Sequence, residues 1–456
     1  MQKTGGKIFL AERRAEIYAT LSRFMMNVIV GLGQTGLSVA RYFLARDLPF
    51  AVTDSRVHPP GWDELKKMAP TVEIVLGELS RDLIQRAKQL IVSPGVSLQE
   101  PVIAAALQKG IPCVGDIELF VREISAPIVA ITGANGKSTV TTLLGDMAKN
   151  AGLRVAVAGN IGLPVLDLLD QPTFDLYVLE LSSFQLETTY SLRATAATVL
   201  NICEDHLDRY ASFDAYLAAK KRIYHQCKTA IVNRADARVW PESQCQQMGF
   251  SLAAPKNNDY GVFENFIVRG KEKLCAFNEI KLQGMHNIEN ILAALALGEA
   301  VGLDQSSMIQ TIKSFTGLAH RCQLVREHRG VRWYNDSKGT NVGATIAAIE
   351  GLGSKEIILI AGGQNKNMNF SPLKPVVAEH VRQVILMGET AGELNVLLRD
   401  VAPVSVVRNM PEAVKLADQV ARAGDVVLLS PACASFDMFD NYKQRGCEFE
   451  RAVNNV

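Results

Sequence analysis

The chain has 456 residues with 48 Lys and Arg against 47 Asp and Glu, a near-neutral balance that argues against a nucleic-acid-binding surface or a membrane-seeking basic face. At about 150 residues per domain the length suggests roughly three domains, and no apolar run approaches the roughly 18 residues of a membrane span. Eight cysteines are scattered without a C-x-x-C or a short Cys/His cluster, so neither a disulfide framework nor a zinc site is expected and a reducing cytoplasm fits.

Residues 1–24 match no structural unit; the expectation is a dispensable extension, or an early start codon with the functional chain beginning at Met25 or Met26. "RFMMNVIVGLG" has too short an apolar core for a signal peptide and runs straight into a glycine-rich turn, so it reads as a strand. Strand "NVIV", turn "GLGQTG", helix "LSVARYFLARD" and strand "FAVTD" follow the βαβ rhythm of a parallel sheet. The glycines from Gly31 to Gly36 permit close backbone approach, and Asp54 ends the next strand, where a carboxylate can take a ribose hydroxyl. Taken alone, this pattern fits NAD, another nucleotide or a structural turn. "KQLIVSPGV" and "IPCVGD" look like strand ends that close a first domain near residue 120.

"IVAITGANGKSTVTTLLGDM" comes next. The strict G-x-x-x-x-G-K-[ST] pattern would need glycine where this chain has Ile131. The context is nevertheless that of a phosphate loop: an apolar strand ends at Thr132, Gly133 and Gly136 allow a tight turn with inward N–H groups, and Lys137-Ser138-Thr139 opens a helix. Lys137 would balance phosphate charge and the Ser138 hydroxyl would ligate Mg²⁺.

Strands "RVAVAG", "DLYVLEL" and "ATVLNI" follow. Glu180 stands at the end of the second, where P-loop enzymes carry a further acidic metal ligand. His206 comes after the third, among Glu204, Asp205 and Asp208. Singly, such residues are more often satisfied side chains; their joint placement after strands behind a phosphate loop favours a site. Helix "NIENILAALALGEAVG" then carries a long apolar stripe. A break near "SFTGLAHR" precedes a last βαβ series: "RWYNDSK", "KEIILIAGG", "RQVILMG", "VSVVR" and "DVVLLSPA". The expected fold is α/β in three domains: Rossmann-like over 25–120, a central P-loop ATPase domain over 121–317, and Rossmann-like over 318–456.

"GANGKST", "ELSSFQLE", "EDHLDRY", "AAKKRIY", "GMHNIENILAALA", "HRCQ", "NDSKGTN" and "SPACASFDMFDNYKQRG", in this order, resemble the Mur ligase family, from about residue 26 to the C-terminus. The resemblance implies ATP-driven amide formation in peptidoglycan precursor synthesis, joining D-glutamate to UDP-N-acetylmuramoyl-L-alanine through an acyl phosphate, by a cytoplasmic monomer. It implies that Lys137, Ser138 and Glu180 serve the ATP-bound Mg²⁺, and that His206 and Lys220 serve a second Mg²⁺. An ammonium cannot ligate a metal, so the resemblance further implies a carbamylated Lys220, with the adjacent Lys221 leaving some ambiguity of register.

By the same resemblance Gly133, Ala134, Asn135, Gly136, Lys137, Ser138, Thr139, Asn287, Asn290, Arg321 and Asp336 bind ATP. Gln34, Thr35, Asp54, Ser55, Arg56, Gly95 and Asn160 take the UDP-sugar, and Lys338, Thr340, Lys366, Ser435 and Tyr442 take D-glutamate. Two positions depart from the family pattern: Gly339 replaces alanine and Tyr442 replaces phenylalanine. A different Mur ligase or a folylpolyglutamate-synthase-like enzyme is the nearest alternative. The absent Asn-Pro-Arg element and the complete N-terminal domain speak against it. The set Lys137, Glu180, His206 and Lys220 speaks against a non-catalytic nucleotide-binding regulator.

Overall fold

A computed structural model of the protein describes residues 26–242, 244–282, 284–353 and 356–456; the expected extension, 1–24, lies outside them. The described residues fall into two compact units that are not simple chain segments. The first gathers residues up to Ile128 with Arg154–Ala194 and His225–Cys227, and the second holds Val129–Leu153, Thr195–Tyr224 and Lys228–Val456.

In the first unit β1 (Asn27–Val30), β2 (Phe50–Asp54), β3 (Ile74–Leu76), β4 (Gln89–Val92) and β5 (Cys113–Val114) form a parallel sheet in the order β3-β2-β1-β4-β5. Val28, Val30, Ala51, Leu90 and Val92 pack with Ile103 and Ala106, so the continuous apolar runs reflect a sheet buried on both faces. The chain makes β6 (Ile128–Thr132) before the first unit's parallel pair β7 (Val155–Gly159) and β8 (Leu176–Glu180).

In the second unit β6 is followed in space by β9 (Ala196–Val199), β10 (Thr229–Asn233), β11 (Gln246–Phe250) and β12 (Tyr260–Phe263), all parallel. β13 (Phe266–Arg269) and β14 (Glu272–Ala276) then extend the sheet antiparallel. The helix Met285–Ala300 packs its alanine-rich middle with no exposure from Leu292 to Leu297.

A further sheet combines β15 (Gln323–His328), β16 (Val331–Asn335), β17 (Ile357–Ala361), β18 (Val381–Leu386), β19 (Val404–Val406) and β20 (Val426–Leu429), ordered β15-β16-β20-β17-β18-β19. Only β15 runs antiparallel to its neighbour. Its strands alternate strictly: Ile357, Leu359, Val384, Leu386, Val426 and Leu428 feed one core, and Ile358, Ile360, Ile385, Val427 and Leu429 feed the other with Trp333. The α/β architecture expected from the sequence is present, and both sheets of the second unit aim strand ends and following loops toward one cavity.

Candidate active site

The phosphate loop starts where β6 stops, at Thr132. Gly136 lies in the left-handed region, with φ of 82°, and a Cβ there would strike the side chain of Asn290; glycine is needed both for backbone conformation and for space. The missing glycine at 131 is explained too, because Ile131 is a fully buried strand residue. Asn201, which sequence reasoning missed, clamps the loop: its Oδ1 accepts the Asn135 N–H at 2.8 Å and its Nδ2 donates to Asn135 O at 3.1 Å. Its own carbonyl accepts the Ala134 N–H.

Cations crowd this turn. Lys137 Nζ donates to Gly133 O and Ala134 O, each at 2.8 Å. Lys220 Nζ donates to the same Gly133 O at 2.8 Å and to Thr132 Oγ1 at 3.4 Å, and lies 4.8 Å from the Tyr216 ring centroid. Lys221 instead reaches Glu242 Oε1 at 2.6 Å on the surface, so it is Lys220, buried to 2% exposure, that meets the loop. From the loops after β16 and before β15, Lys338 Nζ donates to Ser138 Oγ at 2.7 Å, and Arg321 donates to the same oxygen at 3.2 Å.

Asn287, Asn290, Arg321 and Asp336 line one cavity with Asn135, Gly136 and Thr139. Asn290 Nδ2 donates to Asn287 Oδ1 at 3.3 Å, which fixes the two amides against each other. Asp336 accepts from Ser430 Oγ at 2.7 Å and from the Cys322 N–H at 3.1 Å. Burial pushes its pKa up to about 6 against these bonds. Gly339 is explained here: a Cβ at this position would come to 2.7 Å from Ser430 Oγ and closer still to Asp336, so the expected alanine would press on this carboxyl.

His206 follows Asp205, which accepts Lys366 Nζ at 3.0 Å, the His206 N–H at 2.9 Å and Asn341 Nδ2 at 3.3 Å. Burial alone would raise the Asp205 pKa, but Lys366, with His206 and Lys137, brings it to about 2. Burial lowers His206 to about 4, and Asp205 opposes that shift only partly. The imidazole is therefore neutral at pH 7, the form that ligates a metal. His206 also holds a positive φ of 55°, a conformation that costs energy for a non-glycine residue and recurs at functional sites. Asn341 exchanges amide hydrogen bonds with Asn135 at 3.2 and 3.3 Å, so the loop after β16 and the phosphate loop are tied directly.

Among the expected D-glutamate residues, Lys338 stands 5.2 Å from the Tyr442 ring centroid, so the tyrosine supplies the ring face that phenylalanine would. The Thr340 N–H donates to Lys338 O, and Ser435 is buried with its carbonyl accepting the Phe439 N–H. Arg445, another residue not singled out from sequence, binds this region together. It is 1% exposed and donates to Ser337 Oγ, Ser337 O, Ala434 O and Cys433 O. It lies within "NYKQRG", and only its burial reveals its role.

The first unit carries a second cavity, about 630 Å³, lined by all of Gln34, Thr35, Asp54, Ser55, Arg56, Gly95 and Asn160, within the usual range of ligand sites. Gly31 has φ of 95° and its carbonyl accepts Ser93 Oγ; a Cβ on Gly36 would collide with that carbonyl. The turn therefore feeds the helix Gln34–Leu44, whose N-terminal N–H groups suit an anion. Asp54 accepts the Leu32 N–H at 2.6 Å and a forked Arg56 guanidinium at 2.9 and 2.6 Å. Burial opposes ionisation, yet these donors hold its pKa below the ordinary value. Asn160 Nδ2 donates to Glu180 Oε1 at 3.0 Å, fixing the carboxylate at the end of β8. Asp116 and Gln185 also line this cavity and were not expected from sequence.

Among the described residues no group of three or more His, Cys, Asp and Glu side chains gathers as a metal cage. Mg²⁺ does not need one, since it is commonly held by one or two protein oxygens plus phosphates and waters; the Ser138 hydroxyl of the phosphate loop is a donor of that kind.

Three family models match the chain: "Mur ligase MurD-like, N-terminal domain" over 25–115, "Mur ligase middle domain" over 131–298, and "Mur ligase, glutamate ligase domain" over 320–433. The chain is 51% identical over 439 residues to the UDP-N-acetylmuramoylalanine--D-glutamate ligase of Nitrosococcus oceani, covering 94% of this chain and 96% of that protein. It is 50% identical over 441 residues to the protein of the same name from Coxiella burnetii, covering 95% and 99%. Among solved structures, the UDP-N-acetylmuramate-alanine ligase MurC of Thermotoga maritima superposes with a TM-score of 0.59 at 17% identity, covering 94% of this chain and 100% of that one, a likeness of fold. With a phosphate loop, converging lysines and matching domains along nearly its whole length, the chain belongs to the Mur ligase family.

Proposed function

We propose that the chain is an ATP-dependent ligase that joins D-glutamate to UDP-N-acetylmuramoyl-L-alanine in peptidoglycan precursor synthesis, acting in the cytoplasm as a monomer. The observation that carries the chemistry is the convergence of Lys137, Lys338 and Arg321 on the Gly133–Ser138 turn. The half-identical, full-length relatives supply the substrates. Among the described residues no helix is long and apolar enough to cross a membrane.

The reaction joins two anions. A carboxylate oxygen of the alanyl end attacks the γ-phosphorus, the bond to ADP breaks, and an acyl phosphate forms. The amine of D-glutamate then attacks the acyl carbon, the bond to phosphate breaks, and the nitrogen loses its proton as the amide forms. Cations around the turn offset repulsion between carboxylate and triphosphate and take up charge in transfer. Ser138 and Glu180 are assigned to the ATP-bound Mg²⁺, and His206 and a carbamylated Lys220 to a second. When bound, magnesium draws charge from the phosphoryl oxygens.

Asn287, Asn290, Arg321 and Asp336, with the Gly133–Thr139 turn, are assigned to ATP. Lys338, Thr340, Lys366, Ser435 and Tyr442 are assigned to D-glutamate, whose two carboxylates match two lysines. Gln34, Thr35, Asp54, Ser55, Arg56, Gly95 and Asn160 are assigned to the UDP-sugar. The functional domains are taken as 25–120, 121–317 and 318–456. Excluding water from an acyl phosphate is the other requirement.

The test is phosphate release from ATP with UDP-N-acetylmuramoyl-L-alanine, comparing D-glutamate with L-glutamate, L-alanine and L-lysine. Release that ignores the amino acid, or prefers another one, overturns the assignment.

A further inference from the structure

Asp116 opens the helix Asp116–Glu123 and lines the first unit's cavity. It is 4% exposed, and among the described residues its Oδ1 has no hydrogen-bond partner. A buried carboxyl oxygen left without a donor is costly and calls for an explanation. Its surroundings are rigid. The Gly115 N–H donates to Thr188 O at 3.0 Å, and a Cβ on Gly115 would strike Thr188 Oγ1, which pins Asp116 beside the helix Ser183–Glu187.

Gln185 of that helix lines the same cavity, as does Asn160, whereas Asp54 and Arg56 line it from the end of β2 and the loop beyond. Those two are paired to each other. On Asp116's own helix, Glu118 is satisfied by the N–H groups of Tyr190 and Ser191 and by Arg122. Among the described residues no cation acts on Asp116. Burial pushes its pKa up to about 6, while the backbone N–H groups of Ile117 and of Asp116 itself favour ionisation, so it is a carboxylate at pH 8.

A carboxylate only accepts hydrogen bonds. A diphosphate also offers only acceptors and negative charge, so it is the wrong partner for this oxygen. The hydroxyls and acetamido N–H of a sugar are donors of the right kind. We propose that Asp116 is a specificity-determining contact of the nucleotide-sugar site, its carboxylate accepting a hydrogen bond from a hydroxyl or amide N–H of the sugar. The inference rests on the nucleotide-sugar reading of this cavity.

The experiment measures, at pH 8, calorimetric binding of UDP and of UDP-N-acetylmuramoyl-L-alanine to the full chain, to Asp116→Asn and to Asp116→Ala, with steady-state kinetics alongside. UDP should bind all three within about twofold. The nucleotide sugar should bind Asp116→Ala roughly tenfold or more weakly, the loss expected for a hydrogen bond to a charged group. KM for the nucleotide sugar should rise in parallel at nearly constant kcat, and Asp116→Asn, which keeps an acceptor oxygen, should fall between. Equal loss for UDP and nucleotide sugar, or no loss for either, overturns the proposal. Failure of the unsubstituted chain to bind UDP removes the nucleotide-sugar reading itself, and the role of Asp116 with it.

Discussion

Asn201→Ala should loosen the phosphate loop without replacing any residue assigned to ATP. Asn201 makes two side-chain hydrogen bonds to the backbone of Asn135, at 2.8 and 3.1 Å, and the substitution leaves that N–H and carbonyl to find water. The Ala134 N–H to Asn201 O bond survives, since it uses only backbone. At about 1 kcal/mol net per hydrogen bond, the two together hold the loop by about 2 kcal/mol. ATP binding requires the ordered loop, so this converts to a roughly 30-fold weaker ATP affinity. Asn201→Asp keeps the acceptor and loses the donor, and should lose at least half of that energy while adding charge near the phosphates. Calorimetric titration with ATP and Mg²⁺ reads the affinity, and a thermal melt checks the fold. An Asn201→Ala chain that melts normally and binds ATP within about twofold of the unsubstituted chain would show that Asn201 does not hold the loop.

Lys220→Ala should lose activity by roughly a hundredfold or more and regain part of it with added short carboxylic acids, whereas Lys221→Ala should stay within about twofold, as expected for an exposed ion pair; initial rates decide both. Asp336→Asn should melt higher than the unsubstituted chain by a margin that grows from pH 4 to pH 7. The folded pKa of Asp336, about 6, lies above the ordinary value, so its contribution is fully present below the unfolded pKa and is lost as pH rises through the folded one; melts across that window read it. Its ATP affinity should fall, because the cavity loses its carboxylate. Gly339→Ala should crowd Asp336 and Ser430 and lower thermal stability by about 1–3 kcal/mol, the cost of overpacking, measurable by urea denaturation.

Much of the fold was legible because parallel strands buried on both faces leave continuous apolar runs, such as "IILIA" of β17 and "VVLL" of β20. The antiparallel addition β13 and β14 was not, since its strands are short and "EKLCA" is polar and partly exposed. At the phosphate loop, glycine placement and the Lys-Ser-Thr opening of the helix were enough to locate the turn. What closes around it was not readable: Asn201, Asn341 and Arg445 act through hydrogen bonds to residues 66, 206 and 108 positions away, and no local pattern encodes such partners. The Lys220 and Lys221 register was ambiguous in sequence because adjacent helix residues differ only in direction, which packing decides. Asp116 went unnoticed for the same reason: a carboxylate that opens a helix looks like an ordinary dipole partner until its burial and its cavity are seen.

In the proposed reaction the γ-phosphoryl group of ATP goes to a carboxylate. UDP-N-acetylmuramoyl-L-alanine carrying ¹⁸O in the alanyl carboxylate, turned over with ATP, Mg²⁺ and D-glutamate, reports that transfer. Mass analysis of the released phosphate should find a single ¹⁸O per molecule, the bridging oxygen that leaves with phosphorus when the amine attacks the acyl carbon and the C–O bond breaks. Phosphate free of label, with the amide product formed or not, would rule out phosphoryl transfer to the carboxylate.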